Sequence, residues 1–170
     1  MKMNSNEINL FASRLNISNF CGVFGLDELK QIDKHSKGLI IFNTQPTTLP
    51  GQHWIALSVS ADTIFYFDSL NSGFHSNECV AKFLIKMNKN VILNNIQIQP
   101  DVSNLCGLHC IVFCHLMSEN NTLPMFQSFM KTISQLDVLK REQLSLLLAP
   151  LSGALAVHMV CDPSNQTYSF

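Results

Sequence analysis

Residues 106 to 117, CGLHCIVFCHLM, are apolar nearly all the way round when wound into a helix. No other feature constrains the fold as much. A helix without a wet face is stable only when other elements cover it on every side, so the chain must wrap a layered domain around this segment. Composition allows that: 46% of the 170 residues are hydrophobic and only 14% are charged. That is enough for one domain with a real core and too little for two comfortable ones. The same segment raises a chemical question, because Cys106, Cys110 and Cys114 recur every fourth residue, on one helix face, with His109 and His115 close by.

Around this helix the pattern predicts an α+β domain, a mixed central sheet with helices on both sides. Ile8, Phe11, Ala12 and Leu15 fall at helical spacing over 5–15, with Ser5 or Asn4 as the cap. A second short helix is expected over 26–36, further helices over 76–88 and 138–148, and another along the stripe Phe126, Phe129, Met130 and Ile133. GLIIFNT (38–44) reads as a buried strand, and HWIALSVS (53–60) and TIFYFDSL (63–70) as two strands joined by a tight hairpin at Ala61-Asp62. VILNNIQIQ (91–99) reads as extended.

A nucleophilic cysteine needs help losing its proton, a base held in one orientation, and donors for the oxyanion. Cys106-Gly107 at the opening of the apolar helix meets the first need in part. A helix N-terminus favours a thiolate by ~0.3–1 kcal/mol, rarely ~2. At ~1.4 kcal/mol per unit, that takes a free thiol from about 8.5 to about 7 at best. A protonated imidazole must supply the rest. His53 is the best placed, since it opens an apolar strand beside Trp54. If the hairpin turns at Ala61-Asp62, His53 and Asp68 come roughly opposite each other, and the carboxylate can fix the ring's tautomer. Gly107 lets a ligand approach the backbone, the Cys106 N–H can face the oxyanion, and Gln99 can add a side-chain N–H.

These residues carry a resemblance. GLIIFNTQPTTLPGQHWIALSV, FYFDSL and QPDVSNLCGLHC, with the earlier FCGVFGLDEL, resemble the adenain-type cysteine proteases of adenoviruses, virophages and virus-like transposons. The order His, acidic residue, Gln, Cys is that family's, and the match is clearest over 5–119. The resemblance implies a papain-like fold of the adenain or ubiquitin-like-protein protease type, with 1–170 as a single cysteine protease domain. It implies His53 as base, Asp68 as orienting acid, Cys106 as nucleophile and Gln99 as oxyanion-hole side chain, with Trp54 and Gly107 bordering the substrate. It further implies an endopeptidase that cuts capsid or core precursor proteins near glycine or small residues during virion maturation. No cofactor is required, although in adenoviral relatives DNA and a disulfide-linked viral peptide activate the enzyme. The cysteine that accepts that peptide has no aligned thiol here: Asn88 stands near its position, and Cys79 is the nearest. Asp68 replaces the adenoviral Glu, and FDSL is nearer the proteases of ubiquitin-like modifiers. A deSUMOylase- or deubiquitinase-like enzyme is therefore the alternative, followed by a non-catalytic binding module.

Other readings weigh less. Cys106 and Cys114 stand ~12 Å apart along a helix axis, too far for one ion with Zn–S bonds of about 2.3 Å. No metal is expected, and Cys110 and Cys114 read as apolar fillers. Asp62 suits a hairpin tip for local reasons, and His35, His75 and His158 lack a partner pattern. With a net charge of -1, and lysines only in the stripes Lys30/Lys34/Lys37 and Lys82/Lys86/Lys89, nucleic-acid contact should be weak. No run approaches the ~20 apolar residues of a membrane span. The first residues lack a secretory signal, and six cysteines then read as reduced thiols. The expected setting is a soluble, non-secreted protein of the virion and host-cell interior.

Overall fold

A computed structural model of the chain describes residues 2–75, 77–119 and 122–147. Five strands, β1 (Phe20–Phe24), β2 (Gly38–Asn43), β3 (Trp54–Val59), β4 (Thr63–Phe67) and β5 (Asn90–Leu93), lie side by side in that order. The outer pairs are parallel and the inner pairs antiparallel, so the sheet is mixed. The helices are α1 (Ser5–Arg14), α2 (Glu78–Met87), α3 (Cys106–Glu119), α4 (Leu123–Ser134) and α5 (Val138–Leu147), with a 3-10 turn at Leu26–Gln31.

Every residue of β2 and β3 is buried, so alternate side chains must feed two cores. Leu39, Ile41, Ala56, Phe65 and Phe67 meet α1, α3 and α4, whereas Ile40, Phe42, Leu57, Ile64 and Tyr66 meet α2 and the 3-10 turn. Helices therefore cover both faces, as the residue pattern predicts. The apolar helix α3 sits in the first of these cores. Cys110, Ile111 and Cys114 are completely buried, and the Phe113 ring stacks on Phe67 at 4.8 Å.

Local chemistry explains most boundaries. Asn4 caps α1 by accepting from the N–H groups of Asn6 and Glu7, while Glu7 reaches back to the Asn4 N–H. Gly38 opens β2 at φ 128, where a side chain would sit 2.5 Å from the Asn19 carbonyl oxygen. Only glycine fits that approach of β1 to β2. The hairpin turns at Ala61-Asp62 as expected, with the Ser60 N–H donating to the Thr63 carbonyl at 2.8 Å.

Three expectations change. β1 was not foreseen, being an edge strand with a register shift between Phe20 and Gly22. The helix expected over 26–36 is only the 3-10 turn. The extended run expected over 91–99 pairs with β4 only as far as Leu93; the Asn94 N–H still reaches the Tyr66 carbonyl at 3.2 Å, but its side chain turns in to the Asp68 backbone. Ser76 and residues 148–170, with His158 among them, lie outside the described residues. Among the described residues no helix is long and apolar enough to cross a membrane.

Candidate active site

His53 immediately precedes β3 and Asp68 immediately follows β4. Continuing the observed pairing of Ala56 with Phe67 places Asp68 across from Ile55. His53 and Asp68 are therefore diagonal neighbours, a separation long side chains can close. His53 Nε2 lies 2.6 Å from Asp68 Oδ1. The loop before His53 is organised from within. Asn43 Oδ1 accepts from the N–H groups of Gln45 and Gln52, and the Thr44 N–H donates to the His53 carbonyl at 2.9 Å.

Asp68 is 1% exposed, and both carboxylate oxygens are occupied. Oδ1 also accepts from the Leu70 N–H at 2.9 Å, and Oδ2 accepts from the Ser72 N–H at 2.9 Å and the Ser72 hydroxyl at 2.6 Å. Burial opposes ionisation, but these donors and the His53 charge outweigh it and hold the carboxyl below its ordinary value. Asn94, itself buried, clamps the Asp68 backbone on both sides.

Cys106 is the first residue of α3 and is 5% exposed. The His53 ring lies beside its sulfur, and each group shifts the other's titration. With Nε2 turned to Asp68, the ring atom left to face the sulfur is Nδ1. Burial would raise the thiol, but the His53 ring and its charge, with backbone hydrogen bonds from Trp54 and Gly107, lower it instead. On the ring, burial disfavours the proton, yet Asp68 and Cys106 together raise the imidazole to about 9. The two shifts agree in direction and favour a thiolate–imidazolium pair. Such a pair is a nucleophile joined to a proton donor, the two groups that acyl transfer needs.

Gln99 is buried in the loop that leads into α3. Its Oε1 accepts from the Ser69 hydroxyl at 2.8 Å, and its Nε2 donates to the Ser103 carbonyl at 3.1 Å. Ser69 adjoins Asp68, so this bond ties the loop of the acid to the loop of the nucleophile. One amide hydrogen of Gln99 is committed to Ser103. The group carries two.

Trp54 and Gly107 stand close together on the core side of Cys106. The Trp54 indole N–H donates to the Met3 carbonyl at 2.9 Å. A Cβ on Gly107 would lie 3.2 Å from both Met3 Cβ and Trp54 Cδ1. The close approach at Gly107 is thus made by the protein's own N-terminal segment. Cys110 and Cys114 are completely buried, and burial pushes both thiols up. Among the described residues no group of three His, Cys, Asp or Glu side chains is arranged to hold a metal ion. Asp62 is exposed at the hairpin tip, at the opposite end of β3 and β4 from His53 and Asp68.

Sequence reasoning missed the residues that hold the site: Ser69, Ser72, Asn94, Ser103 and Glu142. Only Asn94 left a signal, as a polar residue within a run expected to be extended. His109 is fully buried, with Nε2 3.7 Å from Glu142 Oε1. Neither a family model nor a curated protein matches the chain.

Proposed function

We propose that this protein is a cysteine endopeptidase with a papain-like catalytic arrangement. The observation that carries the reading is the continuous chain from Cys106 through His53 to Asp68, with the thiol lowered and the imidazole raised. In this mechanism the Cys106 thiolate attacks the scissile carbonyl. Gln99 and the Cys106 N–H receive the developing oxyanion. His53 then gives its proton to the leaving amine, and water, deprotonated by His53, releases the acyl group and restores the thiolate.

The substrates we propose are capsid or core precursor proteins of a virus or virus-like element, cut beside glycine or small residues within the virion or host cell. The near-complete burial of Cys106 and Trp54 supports a narrow approach that suits small residues. Nucleic acid would be at most a weak partner. Lys82 pairs with Glu78, Lys86 donates to the Lys30 and Ile32 carbonyls, and Lys89 donates to the Ser60 carbonyl. One stripe of lysines is therefore largely engaged by the protein itself. A peptide or DNA activator remains an accessory to this reading, not a requirement of it.

A second reading, a protease of ubiquitin-like modifiers, draws on Asp68 as the acid within FDSL. Incubation with capsid precursors and, separately, with ubiquitin-type C-terminal fusions, followed by sequencing of new termini, discriminates the two. Cleavage of precursors beside small residues supports the first reading. Release of the modifier alone supports the second, and no cleavage of either contradicts both.

A further inference from the structure

Two adjacent residues of α5 grip the segment that runs from β5 through Gln99 to Cys106. Arg141 Nη1 donates to the Gln97 carbonyl at 3.0 Å, while its Nε and Nη2 hold the Ile133 and Ser134 carbonyls at the end of α4. Gln97 in turn donates through Nε2 to the Gln99 carbonyl at 3.0 Å and to Asp101 Oδ1 at 2.6 Å. At the other end of the loop, the Ser103 hydroxyl donates to Glu142 Oε1 and accepts from the Leu105 N–H. The Ser103 carbonyl is the group that holds the Gln99 amide. Glu142 also faces His109, one turn beyond Cys106 on α3. Burial works against its charge, but the nearby His109 ring and the Ser103 hydroxyl outweigh burial and keep its carboxyl below the ordinary value.

We propose that Arg141 and Glu142 make α5 the positioning element of the oxyanion loop, with Glu142 acting through Ser103 to aim the Gln99 amide. This rests on the peptidase reading for its catalytic consequence, but not for the placement of Gln99. Placing both on the turn that meets the loop ties the geometry of Gln99 to a segment remote in sequence. Small displacements of a donor are costly, since ~1 Å can lower a rate by about a hundredfold.

The test combines kinetics with the side-chain amide resonances of Gln99, assigned by their loss in Gln99→Ala. In Glu142→Ala these resonances should shift and broaden. Turnover should fall about tenfold or more, with KM held within about twofold. Glu142→Gln, which keeps an acceptor for the Ser103 hydroxyl, should recover kcat to within about threefold of wild type. Adding Glu142→Ala to Gln99→Ala should cost less than about threefold further, because the two act through one donor. Cys106 alkylation should be unchanged, since the thiolate depends on His53. If Glu142→Ala does not fold, Ser103→Ala removes the same link and should move the same resonances. Unmoved Gln99 resonances in a folded variant, or losses that multiply in the double mutant, overturn the proposal. A wild-type protein that cleaves no peptide while its Gln99 resonances respond to Glu142→Ala would instead overturn the peptidase reading and leave the positioning role standing.

Discussion

Asn94 holds both backbone polar groups of Asp68: its Oδ1 accepts from the Asp68 N–H at 2.8 Å, and its Nδ2 donates to the Asp68 carbonyl at 2.7 Å. Alanine at this position leaves the buried Asp68 N–H without its acceptor, at a cost of about 1–3 kcal/mol, while the Asp68 carbonyl keeps only the Asn71 N–H at 2.9 Å. Asn94→Ala should therefore lower the unfolding free energy measured in urea. It should also slow peptide cleavage, because the carboxylate that orients His53 loses its anchor. Wild-type stability in this variant would show that the clamp contributes nothing.

Asp68→Asn tests charge against shape. The carboxylate receives donors on both oxygens, His53 and Leu70 on one and Ser72 on the other. An amide must turn its NH2 against one of these sets. The imidazolium loses its counter-charge as well, so the alkaline limb of kcat/KM should move below about 9. An unmoved limb would mean that Asp68 does not tune the ring.

The pH dependence has two readouts. For activity, the acid limb should lie below the ordinary thiol value and the alkaline limb near 9, both belonging to the coupled pair. For stability, the raised His53 adds a contribution fully present below its ordinary value of 6.5 and lost as pH rises through about 9. The lowered Asp68 adds one that is present above its ordinary 3.8 and lost as pH falls through its folded value. Cys106 acts in the opposite sense: its thiol, lowered from 9.0, adds a contribution that grows as pH rises towards that value and offsets the His53 loss. Melting temperature should therefore fall chiefly at the acid end. In Asp68→Asn the acid-side fall should shrink, and its persistence there would assign that fall to another group.

The Cys106–His53–Asp68 arrangement was legible because its logic is local: a Cys-Gly opening an apolar helix, and a hairpin whose turn residues bring His53 towards Asp68. Its supports were not. Asn94, Ser103 and Glu142 act across the tertiary fold, and Ser103 and Glu142 meet over a long separation that no periodicity encodes. β1 escaped for a different reason. FCGVF shows no alternation, and Gly22 at φ 129 breaks the register within it. Gly107 is the instructive case, because a glycine beside a nucleophile suggests room for a ligand, whereas here its open side is filled by Met3, Trp54 and Ile8.

Gly107→Ala follows from that packing. A helix gains by replacing glycine, about 0.5–1 kcal/mol, but the new methyl would press on Met3 and Trp54 at 3.2 Å. Overpacking typically costs about 1–3 kcal/mol, so a net loss of stability is expected. The Trp54 backbone also serves the Cys106 sulfur, and displacing it should slow alkylation of Cys106. A stabilised variant with wild-type alkylation would place free space beside Gly107.

The central claim is that Cys106 is a thiolate paired with His53, and the most direct measurement is the pH dependence of alkylation at each cysteine, read by peptide mass mapping. Cys106 should react with iodoacetamide well below the pH at which the exposed Cys21 and Cys79 begin to react, and His53→Ala should abolish that early reaction. Cys110 and Cys114, buried with raised thiols, should stay unlabelled in the folded protein. A Cys106 profile that follows Cys79, or one unchanged in His53→Ala, would contradict the ion pair and the nucleophilic role built on it.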